Sequence, residues 1–311
     1  MRGSTVASRT ERVLVTGAGG FTGRHLCARL RALGHEVFAL TERGADAPGA
    51  TAVDLLDADG MAAAVRAAAP DRVVHLAAIA FPGHRDAAAI YRVNLIGTLT
   101  LLEALVREGH GRGGVLLPST GTVYGSVEGD ALDEGSPVAP ATHYAVSKLA
   151  MEHMARLFAG TLPIVVVRPF NYTGPGQREP YLVPKIVRHF AQRADAIELG
   201  NVDVVRDFLD VRTVVDAYAR LLAAPAAAGQ TFNVCSGRGV AIREIVATLA
   251  AITGRPMAIR VNPHFVRAGE PQRIVGSPAR LVGVIGELSP IPLATTLADM
   301  LSEAESSRCA T

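Results

Sequence analysis

The feature that most constrains this fold is a short apolar segment followed at once by a glycine-rich run. Residues 12–16 (RVLVT) have the pattern of a buried strand, residues 17–23 read GAGGFTG, and leucines then recur at helical spacing. Glycines let the backbone approach a pyrophosphate, and free amides at a helix start attract its charge. A strand, a glycine turn and a helix in this order are the context of a dinucleotide-binding fingerprint. This context favours a cofactor-binding turn over the alternative, a tight glycine turn that binds no ligand. Gly17, Gly20 and Gly23 are spaced one residue wider than the common form.

The second predicted strand, residues 36–40, bears on the choice of cofactor. NAD-binding proteins of this kind usually place an acidic side chain just beyond that strand, where it binds the ribose 2′-hydroxyl. Thr41 stands there instead and cannot repel a 2′-phosphate, while Arg43 could pair with one. The alternative is that Arg43 is a solvated loop charge and Glu42 supplies the acid. We therefore expect NADPH as the preferred cofactor, with NADH or NAD possible.

Two later segments extend the predicted cofactor site. Asp54 follows a short apolar stretch, where its carboxylate could reach the adenine. Residues 72–78 (RVVHLAA) predict a further parallel strand, whose small terminal residues leave room for a cofactor to lie across it. His75 in this strand is expected to be packed rather than catalytic. Asn94, near the start of a helix predicted for residues 91–108, is expected to brace the neighbouring strand.

Tyr144 and Lys148 are four residues apart in a segment of helix formers, so a helix would place both on one face. An ammonium beside a phenol favours the phenolate and lowers a pKa that is ordinarily about 10. The pair could therefore exchange protons near neutral pH. Residues 115–120 (VLLPST) predict a strand ending in the hydroxyls of Ser119 and Thr120, at the carboxyl edge where open α/β sheets bind ligands.

Composition excludes several classes of protein. The 311 residues carry a formal net charge of +2, which argues against a nucleic-acid or membrane-surface protein. We see no apolar run of about 20 residues to span a membrane, and the polar first residues lack a signal-peptide core. Cys27, Cys235 and Cys309 share no metal-ligand spacing and are too few for a disulfide framework. We expect a cytoplasmic protein without a metal site.

With these motifs, the chain resembles the extended short-chain dehydrogenase/reductase family along almost all of its length. The shared motifs are residues 16–23 (TGAGGFTG), Asp54-Leu55, residues 75–78 (HLAA), Asn94, Ser119-Thr120, Tyr144 with Lys148, and Arg168-Pro169. The second half resembles the branch of GDP-mannose 4,6-dehydratase and GDP-4-keto-6-deoxy-D-mannose reductase. That similarity lies in residues 168–177 (RPFNYTGPGQ), 204–212 (VVRDFLDVR), 233–237 (NVCSG) and 267–270 (RAGE).

The resemblance implies an α/β fold with a Rossmann-type doubly wound parallel sheet and a smaller α/β substrate-binding domain. We expect residues 1–169 to form the dinucleotide-binding domain, completed by residues 208–236. Residues 170–207 and 237–311 would then bind a nucleotide sugar. In this family, helices such as residues 91–108 and 144–158, which carry broad apolar faces, pair into a four-helix bundle. A homodimer is therefore expected.

The resemblance also implies the site residues. Thr120, Tyr144 and Lys148 match the catalytic positions. Tyr144 and Lys148 are also expected to contact the cofactor. The other expected cofactor contacts are Gly17, Gly20, Phe21, Thr22, Gly23, Thr41, Arg43, Asp54, Leu55, Leu76, Ala77 and Ala78. The candidate contacts for a nucleotide-diphosphate sugar are Ser119, Asn171, Val183, Lys185, Arg206, Arg267 and Glu270.

By the same resemblance, Asn171 and Arg206 face the nucleotide sugar, and the pair Arg267 and Glu270 holds its diphosphate and ribose. Cationic forks suit a diphosphate, and a carboxylate suits ribose hydroxyls. The alternative for Arg206 is an ion pair with Asp207 or Asp210 at a domain seam.

One departure from the branch bears on the reaction. In the dehydratases, a carboxylate two residues before the tyrosine of the strand-end motif removes the sugar C5 proton. Here that tyrosine is Tyr124, and Thr122 and Gly121 stand before it, neither of which is a general base at neutral pH. Elimination therefore lacks its catalyst, whereas Thr120, Tyr144 and Lys148 suffice to reduce a ketone.

We therefore predict NADPH-dependent reduction of the C4 ketone of a GDP- or dTDP-linked 4-keto-6-deoxyhexose. Tyr144 would protonate the alkoxide, Thr120 would hydrogen-bond it, and Lys148 would lower the pKa of Tyr144. His143, about 100° round the helix from Tyr144, is expected to make a packing contact rather than act as an acid. The alternatives are a 4-epimerase with tightly bound NAD, a 4,6-dehydratase, and a non-catalytic NADP-binding regulatory protein.

Overall fold

A parallel, seven-stranded sheet organises the first two thirds of the chain. The computed structural model describes residues 10–43, 49–81, 84–126, 131–266 and 270–309. Its strands are β1 Arg12–Thr16, β2 Glu36–Thr41, β3 Thr51–Ala52, β4 Arg72–His75, β5 Gly114–Pro118, β6 Ile164–Pro169 and β10 Thr231–Val234. Their order across the sheet is β10-β6-β5-β4-β1-β2-β3.

Helices cover both faces of this sheet. They are α1 Phe21–Ala32, α2 Ala58–Ala68, α3 Ala87–Tyr91, α4 Thr98–Glu108, α5 His143–Ala155, α7 Val211–Ala223 and α9 Ala279–Ile285. Side chains alternate along a strand, so β5 sends Leu116 into the apolar cluster under α1 and α7, and Val115 and Leu117 into the cluster under α2, α4 and α5. The structure thus confirms the predicted doubly wound α/β fold.

The second half of the chain contains a separate apolar cluster. It is built by helices α6 Leu182–Ala191, α8 Ile242–Thr253 and α10 Leu293–Cys309 with the two-stranded sheet of β8 Ala196–Leu199 and β12 Ala258–Val261. A third sheet contains β7 Asn171–Thr173, β9 Val205–Asp210, β11 Gly239–Ala241 and β13 Arg273–Ile274. β10 returns to the main sheet beside β6, and the exact domain limits stay a prediction.

The helical run from Ala87 to Glu108 includes a π-helical segment, Arg92–Gly97, between α3 and α4. This run is long and apolar enough to pass a length-and-composition test for crossing a membrane, and 50% of its apolar window is buried inside the protein. The core helix of a soluble protein passes the same test. The π-helical segment contains Asn94, whose amide lies at the site described next.

Candidate active site

The glycine turn between β1 and α1 packs directly against the end of β4. Gly17 has φ +66°, and a Cβ there would lie 2.7 Å from the backbone nitrogen of Ala77. Gly20 is the N-cap of α1 and makes no side-chain cap bond, so no capping side chain competes for the first amides of the helix. The turn therefore presents bare backbone and a positive helix end, which together suit a pyrophosphate.

A cavity of about 380 Å³ opens above this turn. Ile79, which was not predicted, lines it, and so does Glu42, which was named only as the alternative acid of an NAD site. The predicted cofactor contacts that the structure brings to this cavity are Gly17, Gly20, Thr41, Asp54, Leu55, Leu76, Ala77 and Ala78. These residues come from four separate segments, all at the carboxyl edge of the sheet, where open α/β sheets bind their ligands.

The loop after β2 carries the residues that bear on the choice of cofactor. The Thr41 side chain is buried, and its hydroxyl donates a hydrogen bond to the Arg43 carbonyl at 2.7 Å, so it holds the turn. Glu42 lines the cavity, which keeps open its role as the acid of an NAD site. Arg43 is exposed and stays a candidate for a 2′-phosphate.

The three remaining predicted residues of α1 make packing contacts in this structure, and their contact with the cofactor stays a prediction. Phe21 stacks on the ring of Tyr172 at 6.1 Å, and the hydroxyls of Thr22 and Tyr172 lie 2.9 Å apart. A Cβ on Gly23 would lie 2.7 Å from the Cα of Ala18. Sequence reasoning missed the contacts of Tyr172, because residues 150 positions apart carry no local sign that they meet.

The catalytic candidates Thr120, Tyr144 and Lys148 lie together at the end of β5. Thr120 is the N-cap of a 3₁₀ turn, Gly121–Tyr124, and its side chain lies close enough to the Tyr144 phenol to affect the pKa of that phenol. Tyr144 is the second residue of α5, whose start is fixed by the Thr142 hydroxyl accepting from the Ala145 amide at 3.2 Å.

The electrostatics correct one expectation. Burial, followed by nearby Tyr172 and Tyr181, raises the pKa of Tyr144 above its usual range, and the neighbouring Thr120 side chain acts in the opposite direction. Lys148 is bonded to the end of β5. Its ammonium donates to the Pro118 carbonyl at 2.8 Å, and burial lowers its own pKa to about 8, while Glu152 opposes that change. The expected lowering of the Tyr144 pKa by Lys148 is therefore wrong for this arrangement.

Three polar residues near the site are bonded as the sequence suggested. His75 is buried between Thr16 (2.7 Å from Nδ1) and Thr98 (3.0 Å from Nε2), which confirms a packed histidine. Asn94 accepts from the Ile79 amide at 2.8 Å and donates to the Ile79 carbonyl at 3.1 Å, so it braces the segment after β4 as expected. His143 contacts Tyr91, with Nδ1 3.1 Å from its hydroxyl.

The position of the dehydratase carboxylate is occupied by a hydroxyl. Thr122 Oγ1 lies 3.0 Å from Thr120 Oγ1, and the Thr122 amide donates to the same Thr120 oxygen at 3.2 Å. Thr122 therefore supports the Thr120 hydroxyl and brings no base to the site.

The candidate substrate residues divide into two groups. Asn171 is exposed on β7, and Arg206 and Glu270 form an ion pair with Nη2 and Oε1 3.0 Å apart. Glu270 also accepts from Asn201 at 2.6 Å. The alternative interpretation of Arg206 was an ion pair with Asp207 or Asp210. Arg206 does form a partly buried ion pair, but its partner is Glu270. Arg267 lies outside the described residues.

The other three candidates are buried or bonded within the protein. Val183 is buried in the cluster under α6, so a substrate contact for its side chain has no support. Lys185 donates to the Glu198 carbonyl at 2.8 Å and lies 4.7 Å from the centre of the Phe265 ring. Ser119 is 1% exposed, and its hydroxyl has no hydrogen-bond partner in the described part of the chain. Its role in substrate binding stays a prediction.

A doubly wound parallel sheet, a bare glycine turn against a cavity, and a Thr–Tyr–Lys group beside it define the class of dinucleotide-dependent enzymes. The cradle fits the cofactor, because Gly17 and Gly20 leave backbone exposed where a pyrophosphate would lie. Residues 13–235 match the model of the NAD dependent epimerase/dehydratase family. The chain belongs to this family.

Known relatives cover nearly the full chain. GDP-6-deoxy-D-mannose reductase of Pseudomonas aeruginosa is 38% identical over 96% of this chain and 98% of its own. GDP-6-deoxy-D-talose 4-dehydrogenase of Aggregatibacter actinomycetemcomitans is 36% identical, covering 88% and 91%. Among solved structures, a putative epimerase from Burkholderia cenocepacia has a TM-score of 0.89 and 45% identity, covering 95% and 98%. RMD from P. aeruginosa complexed with NADPH has a TM-score of 0.86 and 37% identity, covering 96% and 100%.

Proposed function

We propose that this protein uses NADPH to reduce the C4 ketone of a nucleotide-diphosphate 4-keto-6-deoxyhexose, with a GDP-linked sugar as the first substrate to test. The observation that carries the proposal is the placement of the Thr120 side chain beside the Tyr144 phenol, with a hydroxyl rather than a carboxylate at Thr122. The similarity to a GDP-6-deoxy-D-mannose reductase and to a GDP-6-deoxy-D-talose 4-dehydrogenase supports it, because both names describe redox chemistry on a GDP-linked 6-deoxyhexose.

The residues act on the ketone oxygen. NADPH, when bound, supplies the hydride. The raised pKa of Tyr144 keeps its phenol protonated at neutral pH, so it donates its proton as negative charge develops on the sugar oxygen. Thr120 hydrogen-bonds the same oxygen, and this stabilisation is strongest when the charge is greatest. Lys148, with a pKa of about 8, is mainly protonated at pH 7 and places a positive charge beside the reaction.

The preference for NADPH has support of two kinds. Thr41 brings no negative charge to the place where a 2′-phosphate would lie, and Arg43 is exposed nearby. The similar RMD structure was solved with NADPH. Glu42 in the cavity lining favours NAD instead, so we propose NADPH as preferred and NAD as usable.

A 4-epimerase is the second candidate. The similar B. cenocepacia structure is described as a putative epimerase, and Glu42 would suit the tightly bound NAD of that reaction. An epimerase regenerates its cofactor in each cycle, whereas a ketoreductase consumes one NADPH per sugar reduced. Cofactor stoichiometry therefore separates the two.

The deciding experiment incubates the purified protein with GDP-4-keto-6-deoxy-D-mannose and a known amount of NADPH. We expect NADPH to be oxidised in a 1:1 ratio with the GDP-6-deoxyhexose formed. The dTDP-linked 4-keto-6-deoxyglucose serves as the matched substrate that tests which nucleotide base the protein prefers. Interconversion of C4 epimers without net loss of NADPH would replace the proposal with the epimerase.

We also propose a cytoplasmic homodimer that pairs through a four-helix bundle. Three exposed apolar side chains support this assembly. They lie in the π-helical segment Arg92–Gly97, in α5 and in the 3₁₀ turn Arg156–Phe158 that follows α5. Ile96 is 46% exposed, Leu157 is 84% exposed, and Val146 is 37% exposed. A monomer would leave this apolar surface in water, which is costly over an extended patch.

A further inference from the structure

The buried guanidinium of Arg168 on β6 is bonded on two sides. Its Nε and Nη2 donate to the two carboxylate oxygens of Glu152 at 2.9 and 2.7 Å, and its Nη1 donates to the Tyr124 hydroxyl at 3.0 Å. That hydroxyl in turn donates to Asn233 Oδ1 at 2.7 Å. The Arg168 and Glu152 side chains are 6% and 2% exposed. We call Arg168, Glu152, Tyr124 and Asn233 the Arg168 bridge.

One arm of the bridge ends on the turn that carries Thr120. Tyr124 closes the 3₁₀ turn Gly121–Tyr124, and Thr120 is the N-cap of that turn. The Tyr124 ring also lies under the guanidinium, with 5.0 Å from its centre to the Arg168 Cζ. The position of Thr120 is thus tied to Arg168 through three residues of tight turn.

The other arm ends on the helix that carries the phenol and the ammonium. Glu152 lies one helical turn after Lys148 and two turns after Tyr144, on the same face of α5. The two arms of one planar guanidinium therefore connect the element bearing Thr120 with the element bearing Tyr144. None of the bridge residues lines the cavity above the glycine turn.

A buried ion pair is poor evidence for a purely stabilising role. Desolvation of the two charges offsets much of their attraction, and apolar side chains of similar volume would often stabilise a core equally well. The rigid fork of a guanidinium instead fixes direction, because its donors match the carboxylate only in a plane. Fixed geometry is what two hydroxyls acting on one oxygen require.

We propose that Arg168 is a positioning residue for ketone reduction, which fixes the hydroxyl of Thr120 relative to that of Tyr144 through its bonds to Tyr124 and Glu152. This inference rests on the proposed ketoreductase function. Loosening the bridge would misplace the two hydroxyls at the sugar oxygen and slow the chemical step. The cofactor cavity would keep its shape, so the binding of NADPH would not change.

The test compares two variants of the bridge with a matched control. Tyr124→Phe removes one buried hydroxyl, and Arg168→Lys keeps the charge but removes the fork. Thr296→Val removes a buried hydroxyl that donates to Asp210 Oδ2 at 2.8 Å in the second half of the chain. Each protein is assayed for kcat, KM, melting temperature and the primary isotope effect with NADPH deuterated at the transferred position, and kcat is expressed per NADPH-binding site.

For both bridge variants, we expect kcat to fall about 10-fold or more, with KM within about twofold. The isotope effect should rise, because the slowed chemical step then limits turnover. Thr296→Val should lower the melting temperature to a similar degree as Tyr124→Phe, with kcat and the isotope effect unchanged.

Bridge variants that lose melting temperature but keep the wild-type kcat and isotope effect would overturn the positioning role and leave the ketoreductase function standing. A wild-type protein that oxidises no NADPH with the GDP-linked ketone would overturn both. The two failures are therefore told apart by the wild-type assay alone.

Discussion

Gly23 on α1 lies so close to Ala18 in the glycine turn that a Cβ on Gly23 would lie 2.7 Å from the Ala18 Cα. Gly23→Ala must therefore push the helix away from the turn that forms the floor of the cavity. We expect a loss of about 1–3 kcal/mol in the free energy of unfolding, and weaker NADPH binding. Denaturant titration and fluorescence titration with NADPH measure the two effects.

The matched control is Gly160→Ala, at a glycine whose added Cβ would meet nothing within 4 Å. This substitution should leave both the stability and the NADPH affinity unchanged. Equal behaviour of the two variants would refute the close-packing role of Gly23.

The burial of His75 predicts a stability that depends on pH. Burial, and then the charge of Lys148, lowers the pKa of His75 to about 3, so the folded protein keeps it neutral while the unfolded chain protonates it at its ordinary pKa of about 6.5. The unfolded state therefore gains stability as the pH falls from about 6.5 towards 3. This histidine alone should cost about 2 kcal/mol of folding stability between pH 7 and pH 5.

The check is denaturant unfolding at both pH values for the wild type and for His75→Gln. The variant keeps polar groups near Thr16 and Thr98 but cannot titrate, so its loss between pH 7 and pH 5 should be smaller by that amount. Identical pH dependence of the two proteins would mean that another group is responsible.

The dimer proposal predicts that a charge in the 3₁₀ turn Arg156–Phe158, which follows α5 directly, gives a monomer. Leu157→Glu places a carboxylate at a side chain that is 84% exposed in one chain, and burying that charge in an interface is costly. Light scattering should show the wild type as a dimer and the variant as a monomer. Val261→Glu, at a 58% exposed side chain on β12, should remain a dimer. A monomeric wild type would sink the proposal at once.

Local features of the site followed from the sequence because their causes are local. The glycine turn that begins at Gly17, directly after β1, forms the floor of the cavity, and His75 is packed within β4. Asn94 braces Ile79 from the adjacent helix, as expected from its place near a helix start. Each of these depends on a short run of residues whose pattern selects one structure.

Contacts between distant segments were not predictable. Arg206 pairs with Glu270, 64 residues away, and Asp207 accepts from Ser236, 29 residues away. Neither arrangement leaves a mark in the sequence near Arg206. The prediction of a lowered pKa for Tyr144 was wrong for a related reason. Helical spacing places Lys148 on the same face as Tyr144, but it does not show that Tyr144 is buried or that the Lys148 ammonium binds the Pro118 carbonyl.

The central claim is that the Tyr144 phenol donates the proton to the ketone oxygen of a nucleotide sugar. The most direct measurement is single-turnover reduction of GDP-4-keto-6-deoxy-D-mannose by wild type and by Tyr144→Phe, each with saturating NADPH. We predict that the variant is slower by about 10³-fold, with its Kd for NADPH within about twofold of the wild type. Reduction by Tyr144→Phe at the wild-type rate would contradict the account.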